Sequence, residues 1–327
     1  MERGIVVELA GGVGGAKLAH GLQAHLGDRL TVVVNTGDDL ERHGLLVCPD
    51  HDTVMYTLAG IDNREWGWGL AGETFAAAEM LERYGEETWF RLGDRDLATH
   101  VRRTKRLREG ARLTIASREL QRSLGVPATI LPMADGQVRT EVSTDSGWLD
   151  FQEYFVHRHQ EPEVRKVRFR GIETATATAE VEAAFEAAEA IVFAPSNPIV
   201  SIGPILALPG IRPAIATARH RGIPVLGVSP IVAGHALRGP ADRMLSSLGH
   251  EPSALGVARL YAGLIDGFVL DQEDEALAAG VRALGIEPFV ADTIMTDDAS
   301  RARLAAFVLN ACSARAGRAP VDRAAAG

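Results

Sequence analysis

A glycine-rich segment near the start of the chain constrains the fold more than any other feature. The β-branched run Ile5-Val6-Val7 is followed by four glycines, and a helical pattern begins near Leu18. Strand, glycine loop and helix in this order favour a phosphate-binding turn, because glycines let the backbone approach an anion and the helix N-terminus adds free N–H groups. We therefore predict a nucleotide or diphosphate site at this loop, formed by Gly11, Gly12, Gly14, Gly15 and Lys17.

The loop fits neither common phosphate-binding template. In the dinucleotide fingerprint, Lys17 stands where a third glycine packs helix against strand. In the Walker pattern, Lys17 is preceded by Ala16 instead of glycine and followed by Leu18 instead of a hydroxyl residue. A tight strand-to-helix turn without a ligand is the alternative interpretation, because short motifs match by chance.

Strand and helix patterns alternate at both ends of the chain. Apolar runs at 30–34, 191–194, 224–228 and 267–270 are typical of parallel strands that are covered on both faces. The alternation predicts an α/β fold with a Rossmann-like, doubly wound parallel sheet. The domain organisation that follows is a core at 1–60 and 171–316, a smaller α+β lobe inserted at 61–170, and a flexible tail at 317–327.

Four aspartates follow the second predicted strand closely. Asp38 and Asp39 lie in the turn that follows the strand at 30–34, and Asp50 and Asp52 point to the same side if Pro49 keeps their segment extended. Ligands bind outside the carboxyl ends of strands in open α/β sheets, so we expect these carboxylates beside the glycine loop. Such an oxygen-rich cluster is the kind that holds Mg²⁺ through one or two carboxylates plus substrate phosphates. Turn formation and helix capping are the alternative explanations for the individual aspartates.

A second polar cluster follows residue 90. Arg91 and Arg95 are predicted to pair with the carboxylates or to meet substrate phosphate bidentately. Asp94 and Asp96 are interpreted as capping and first-turn residues of the helix that follows. His51 has no spacing that marks a zinc site and is interpreted as a surface residue.

Aromatic side chains and further turns complete the candidate site. Trp68 lies with Trp66 among glycines and can form a stacking wall for a planar ring, or simply pack the lobe. Two more strand ends carry turn residues suited to anion binding, namely Ser196, Asn197 and Ser229.

Composition excludes several classes of protein. The 34 basic and 43 acidic residues give a formal net charge of -9, the wrong sign for a protein that covers phosphate backbones, so we predict no nucleic-acid partner. Two cysteines cannot form a disulfide framework. No apolar run reaches the roughly 18 residues that a membrane span requires, and no signal peptide is visible. We predict a cytoplasmic protein without a membrane partner.

Six short motifs resemble those of a known family, in the family's order. They are Gly-Gly-Val-Gly-Gly-Ala-Lys at 11–17, Val-Asn-Thr-Gly-Asp-Asp at 34–39, Pro-Asp-His-Asp-Thr at 49–53, Leu-Gly-Asp-Arg-Asp-Leu-Ala-Thr-His at 92–100, Ser-Asn-Pro-Ile-Val-Ser-Ile-Gly-Pro-Ile at 196–205 and Val-Ser-Pro-Ile at 228–231. Together they span nearly the whole chain and look like the 2-phospho-L-lactate transferase family, the CofD type, including its phosphoenolpyruvate transferase variants. Each motif alone is weak, but six in order argue against a chance match.

The resemblance implies a transfer step in the biosynthesis of the deazaflavin coenzyme F-420. Family members move a phospholactyl or phosphoenolpyruvyl group from a guanosine diphosphate conjugate to the ribityl hydroxyl of the deazaflavin Fo, releasing GMP with Mg²⁺ present. It further implies that the core binds the donor, that the lobe helps form the deazaflavin site, and that the protein is a homodimer.

Residue roles carry over at the matching positions. Asp52 and Arg91 match positions that contact Fo, and Trp68 is placed in the same site. The glycine loop, Ser196, Asn197 and Ser229 would hold the guanosine diphosphate end. A primary alcohol is a poor nucleophile, so a carboxylate that accepts its proton helps, while Mg²⁺ and cations offset charge on the leaving diphosphate. For these tasks we predict the metal-binding and acid–base residues Asp38, Asp39 and Asp50, with Arg95 beside the phosphoryl group.

Several alternatives stay open. A YvcK-like regulatory protein that binds sugar nucleotides has a similar glycine loop and fold, although the motifs on the Fo side argue against it. A nicotinamide-dependent oxidoreductase is weakened by Lys17 and by Asn35 and Thr36, which stand where an acidic ribose ligand belongs. The sequence leaves open which aspartate binds metal and whether the transferred acid is lactate, enolpyruvate or glycerate.

Overall fold

A computed structural model describes residues 4–316, and the predicted tail at 317–327 lies outside the described residues. The strands in the described range are β1 (Ile5–Ala10), β2 (Leu30–Val34), β3 (Leu40–Arg42), β4 (Leu45–Val47), β5 (Thr129–Pro132), β6 (Arg139–Thr144), β7 (Gly147–Asp150), β8 (Lys166–Arg170), β9 (Ala188–Phe193), β10 (Val225–Val228), β11 (Ile231–Val232), β12 (His235–Ala236), β13 (Gly267–Asp271) and β14 (Glu287–Ala291). The α-helices are α1 (Gly12–Leu26), α2 (Pro49–Leu58), α3 (Ala76–Arg83), α4 (Asp94–Arg108), α5 (Leu113–Ser123), α6 (Ala179–Glu186), α7 (Ile202–Ala207), α8 (Ile211–His220), α9 (Ala241–Ser247), α10 (Ala254–Leu260), α11 (Ala278–Ala283) and α12 (Asp298–Arg315).

Seven strands form one parallel sheet in the order β14-β13-β10-β9-β1-β2-β5. This confirms the predicted α/β fold with a doubly wound sheet. The chain leaves β1 toward β2 on one side and later returns to β9 on the other side, so the strand order reverses between β1 and β9. Such a switch point leaves a crevice outside the carboxyl ends of the strands, and ligands bind there.

Helices cover both faces of the sheet. Apolar side chains of α1, α2 and α12 pack with one face, and those of α6, α7, α8 and α10 pack with the other. All five residues of β2 are buried, which explains its continuous run of apolar and β-branched residues. No helix within residues 4–316 is both long and apolar enough to cross a membrane.

The inserted segment differs from the prediction in one strand. Thr129–Pro132 falls within the predicted lobe, but it forms β5 and pairs with β2 at the edge of the central sheet. Its buried Ile130 and Leu131 extend the core of the sheet, so the main sheet takes up this apolar run. A separate antiparallel sheet, in the order β7-β6-β8, does form between 139 and 170. The exact division into core and lobe stays a prediction.

The start of α4 also differs from its predicted capping. Asp94 accepts hydrogen bonds from two amides at the start of α3 instead, with N···O distances of 3.0 and 2.9 Å. The first-turn amides of α4 donate to the carboxylate of Glu73, at 2.9 and 2.7 Å. The two helix starts therefore face each other, and each is capped from the neighbouring segment.

Candidate active site

A cavity of about 1010 Å³, called the main cavity here, lies outside the carboxyl ends of β1, β9 and β10. The glycine loop, the start of α2, the turns after the strands and aromatic side chains of the 61–170 segment line it. Most of the predicted site residues meet at this cavity: Gly11, Gly12, Gly14, Lys17, Asp38, Asp50, Asp52, Trp68, Arg91, Ser196, Asn197 and Ser229. The predicted residues Gly15, Asp39 and Arg95 lie outside its lining.

The glycine loop forms the first turn of α1, which begins at Gly12, earlier than the sequence pattern indicated. Gly12 has a positive φ of 63°, which favours glycine. A Cβ at Gly14 would collide with the carbonyl oxygen of Pro195 in the turn after β9. Gly11 at the N-cap has no side chain, and the Gly12 amide donates to the carboxyl group of Asp50. Within the described range the amides of Val13 and Gly14 have no side-chain acceptor and remain available to an anion. The glycines thus allow the loop to pack closely against the turn after β9, and they leave the first turn of α1 accessible.

In the turns after β9 and β10, polar side chains form hydrogen bonds with nearby backbone groups. Ser196 accepts a hydrogen bond from the Gly11 amide at 3.2 Å and donates to the Gly11 carbonyl at 2.7 Å, which joins the two loops across the switch point. Asn197 accepts from the amide of Ile199 at 2.9 Å. Ser229 donates to the carbonyl of Ile231 at 2.8 Å. These side chains shape the turns that border the main cavity.

Asp38 and Asp50 form an acidic pair at the start of α1. Both are buried and line the main cavity, and neither has an ion-pair partner within the described range. Asn35 donates a hydrogen bond from Nδ2 to Asp50 Oδ2 at 2.9 Å, and the same nitrogen lies 3.2 Å from the carbonyl of Val200. Asn35 therefore fixes the orientation of the Asp50 carboxyl group.

Burial and mutual repulsion change the protonation of this pair. Burial raises the pKa of Asp38 well above its usual value, and the neighbouring Asp50 raises it further. Burial also raises the pKa of Asp50 to about 6, against the opposing effect of the hydrogen bonds from Asn35 and the Gly12 amide. Two buried carboxylates without a counter-charge are stabilised by a cation or by a proton.

Asp39 is separated from the pair. It lines a second cavity of about 550 Å³, called the side cavity, whose wall also includes Arg139. Burial raises the pKa of Asp39 to about 7, although Arg139 acts in the opposite direction. Asp38 borders both cavities, so the predicted trio divides into a pair in the main cavity and one residue behind it.

Asp52 lies two residues after Asp50 on α2 but has a cationic partner. The guanidinium of the fully buried Arg103 donates to both carboxylate oxygens, one of them Oδ2 at 3.0 Å from Nη1. Burial alone would raise the pKa of Asp52, but Arg103, His51 and His100 together outweigh burial and hold the pKa well below its usual range. Asp52 is therefore an ionised, positioned carboxylate.

A chain of buried groups continues from this ion pair. His100 places Nδ1 3.7 Å from Asp52 Oδ2 and Nε2 3.1 Å from Asp96 Oδ2. The hydroxyl of Tyr56 donates to Asp96 at 2.7 Å. Within residues 4–316, Asp52, Asp96 and His100 form the one set whose ligand atoms converge as a metal site requires. Arg103 already supplies the positive charge there, which disfavours a metal ion.

His51, interpreted from the sequence as a surface residue, is 1% exposed. Its Nδ1 lies 3.7 Å from Asp52 Oδ1. Burial lowers its pKa, so the imidazole favours the neutral form. That interpretation was wrong because α2 turns this face of the helix into the protein.

The rim of the cavity carries aromatic and cationic side chains. The ring of Trp66 lies 5.4 Å from that of Trp68 and 5.9 Å from that of Phe75. The Arg91 guanidinium stacks on Phe75, 4.2 Å from the ring centre. Arg95, by contrast, is exposed and donates to the carbonyl of Ala71 at 2.9 Å. The structure therefore does not support Arg95 as a residue beside the reacting group.

Residues that organise the site were missed at the sequence level. Arg103 and His100 stand in a helix whose run of basic residues indicates solvent exposure. Asn35 belongs to the strand-end motif, but turn formation accounts for an asparagine there. The available signal was the spacing of His100 and Arg103, which places them on one side of a helix, three residues apart.

Fold and site together define an α/β enzyme of the open parallel-sheet class, with its ligand cavity at the switch point. A model of the family described as 2-phospho-L-lactate transferase CofD matches residues 6–308. The chain therefore belongs to the CofD family of 2-phospho-L-lactate transferases, and it is a transferase. This confirms the resemblance drawn from the six motifs.

Relatives of known name agree with this assignment. A phosphoenolpyruvate transferase of Streptomyces griseus subsp. griseus is 45% identical over 307 residues, covering 92% of this chain and 96% of the relative. A 2-phospho-L-lactate transferase of Methanosarcina mazei is 40% identical over 308 residues, covering 94% and 100%. The crystal structure of a UPF0052 family protein from Bacillus halodurans superposes with a TM-score of 0.61 at 14% identity, covering 94% of this chain and 99% of the other, and supports the fold alone.

Proposed function

We propose that the protein transfers a phospholactyl or phosphoenolpyruvyl group from a guanosine diphosphate conjugate to the terminal ribityl hydroxyl of Fo and releases GMP. The observation that carries the proposal is the buried acidic pair Asp38 and Asp50, which has no cationic partner within the described range and borders the main cavity beside the glycine-rich start of α1. A negatively charged diphosphate needs the helix start, and an alcohol nucleophile needs a proton acceptor.

A magnesium ion fits the acidic pair. Mg²⁺ is bound in proteins through one or two carboxylates plus substrate phosphates, and Asp38 and Asp50 offer two carboxylates in reach of the phosphate-binding turn. Asp38 Oδ1 has no hydrogen-bond partner in the described residues and is free to bind a cation. When bound, Mg²⁺ would offset the charge of the diphosphate. Asp39, which faces the side cavity, is outside this ligand set.

The protein's own groups divide the remaining work. Asp52, held ionised by Arg103, orients the acceptor hydroxyl by accepting its hydrogen bond. Whichever of Asp38 and Asp50 is not occupied by the cation receives the proton, because burial has raised the pKa of both toward the operating pH. The start of α1 holds the phosphoryl oxygens. The aromatic rings of Trp66 and Trp68 offer stacking surfaces for the planar deazaflavin.

Mass spectrometry of the product tests the proposal. The purified protein is incubated with Fo, Mg²⁺ and either lactyl- or enolpyruvyl-diphosphoguanosine. We expect a phosphodiester of Fo plus GMP with at least one donor, and loss of product on chelation of Mg²⁺ by EDTA. Formation of neither product with any three-carbon donor would contradict the proposal.

Binding of Fo separates the transferase from the sugar-nucleotide-binding alternative. A transferase of this kind binds Fo, which fluorescence titration detects directly, whereas a YvcK-like regulator binds sugar nucleotides without the deazaflavin. The predicted homodimer is tested in the same preparation by light scattering.

A further inference from the structure

A second concentration of charge in the main cavity is positive. Lys17, Arg64 and Arg238 line the cavity from three different segments, namely α1, the loop after α2 and the loop before α9. Arg301 on α12 is buried next to them. This cation cluster lies beyond the glycine turn, since Lys17 follows Gly12 by five residues, or about 7.5 Å along the helix axis.

The cluster has fewer carboxylates than cations. Asp298 lies 3.2 Å from Arg64 Nη1 and 3.4 Å from Arg301 Nη1. Asp62 lies 4.0 Å from Arg64 Nε. Asp297 also acts on Arg301. Four cationic side chains thus share three carboxylates, which leaves positive charge in excess at this wall.

Within residues 4–316, two members of the cation cluster, Lys17 and Arg238, form no ion pair with a carboxylate. Lys17 Nζ donates to the carbonyl of Met295 at 2.8 Å. Arg238 Nη1 donates to the carbonyl of Trp66 at 2.8 Å. Carbonyl groups orient these side chains but do not neutralise them, so each keeps donors for an anion.

Burial and the neighbouring cations lower the pKa of Lys17. Burial lowers the pKa of Lys17, and the charges of Arg301 and Arg238 lower it further. Like charges that converge on a cavity wall repel one another until an anion occupies the space between them. Guanidinium groups bind phosphate through two parallel hydrogen bonds.

We propose that Lys17, Arg64 and Arg238 form a phosphate subsite for the nucleoside monophosphate that leaves during transfer. This inference rests on the proposed function. The alcohol oxygen of the acceptor forms a bond to the phosphorus that carries the three-carbon acid, and the bond from that phosphorus to the bridging oxygen breaks. The electron pair stays on the bridging oxygen, so the leaving phosphate gains one negative charge, and the alcohol proton passes to the acidic pair.

The division of charge suits this reaction. During transfer, negative charge develops on the departing monophosphate. The acidic pair lies at the start of α1, and the cation cluster lies farther along the same helix. Stabilising that charge lowers the barrier to bond breaking as well as the dissociation constant of the product. Arg238 is the best probe, because it is exposed and its loss leaves no buried group unpaired.

Calorimetric titration with GMP and with guanosine tests the subsite. For Arg238→Gln we expect GMP to bind about tenfold more weakly, with guanosine affinity unchanged, because the variant loses a charge-assisted hydrogen bond to phosphate alone. Arg238→Lys keeps the positive charge but loses the paired N–H donors of the guanidinium group. Its affinity for GMP should lie between those of the wild type and Arg238→Gln. Arg243→Gln removes an exposed arginine of the neighbouring helix that does not line the cavity, and should bind GMP like the wild type.

The outcomes separate this inference from the proposed function. Unchanged GMP binding by Arg238→Gln, or equal weakening of GMP and guanosine, would overturn the phosphate subsite while the wild-type transfer reaction still stands. Failure of the wild type to bind GMP at all, together with absence of product from Fo and donor, would overturn the proposed function itself.

Discussion

Asp50 and Asp52 lie two residues apart on the same helix and are both buried at the main cavity, yet their charged partners differ. Asp50 faces a cavity, has a second carboxylate as its neighbour and receives hydrogen bonds from neutral donors. Asp52 also lines the main cavity, but the buried Arg103 neutralises it. Burial therefore raises the pKa of Asp50, whereas Arg103 and two histidines lower the pKa of Asp52 in spite of burial.

The difference shows how one short motif supplies two functions. A carboxylate with unmet charge is costly to the fold and available to a cation, a proton or a substrate. A carboxylate with a buried partner is fixed in position and in charge, and its removal leaves that partner unpaired. We expect substitutions at Asp50 to affect catalysis and substitutions around Asp52 to affect stability.

Arg103→Met is the strongest test of the paired side of this comparison. The variant leaves the Asp52 carboxylate buried without a cation, so the free energy of unfolding should fall by about 3–5 kcal/mol. Urea denaturation followed by circular dichroism measures the change. A loss below about 1 kcal/mol, as at an exposed pair, would show that Arg103 does not determine the state of Asp52.

Two further variants serve as controls for that measurement. Arg102→Met removes the neighbouring arginine of α4, whose side chain is half-exposed and pairs with Glu119 at 2.9 Å, and should cost less than about 1 kcal/mol. The double variant Asp52→Asn/Arg103→Met removes both charges, and should be more stable than the sum of the single losses predicts.

Asp50→Asn tests the unpaired side. Loss of the carboxylate should reduce turnover of Fo and donor by about 100-fold or more, because a proton acceptor or metal ligand is lost. The free energy of unfolding should not fall, because the substitution also removes repulsion between Asp50 and Asp38. A steady-state assay beside urea denaturation of the same preparation measures both quantities.

A matched control uses an aspartate away from the cavity. Asp28 is exposed at the amino end of β2, so Asp28→Asn should change neither turnover nor stability. Turnover of Asp50→Asn within a factor of two of the wild type would remove Asp50 from the mechanism, and the comparison with Asp52 would lose its catalytic half.

The central sheet could be predicted because its strands are short, continuous and apolar, and helices separate them in a regular alternation. The strand at Leu30–Val34 is buried at every position, and its β-branched residues indicate that directly. The strand at Thr129–Pro132 could not be placed, because its apolar run fits a lobe or a sheet edge equally well. Only pairing with β2 decides between them.

The candidate site was predictable to the extent that it follows strand ends. Asp38, Asp50 and the glycine turn meet because parallel strands deliver their carboxyl ends to one edge. The partner of Asp52 comes from α4, which is about fifty residues farther along the chain, and no local pattern fixes that contact. Long-range packing likewise turned Asp39 toward the side cavity and left Arg95 at the surface.

The smallest expected effect concerns the pH dependence of stability in the metal-free protein. In the folded state the pKa of Asp50 is raised to about 6, above its value in an unfolded chain, so the folded state binds more protons in this range. Its contribution is thus favourable at low pH and is lost as the pH rises through 6. Asp50→Asn does not titrate, so its stability advantage over the wild type should shrink by about 1 kcal/mol between pH 7.5 and pH 5 and should disappear only below about pH 4, where the carboxyl group is protonated in both states. Urea denaturation in EDTA across this range measures the difference between the two proteins, which cancels the opposing titration of the histidines. A difference that stays constant with pH would mean that Asp50 is ionised throughout, as Asp52 is, and the two carboxylates would then differ in their partners but not in their charge.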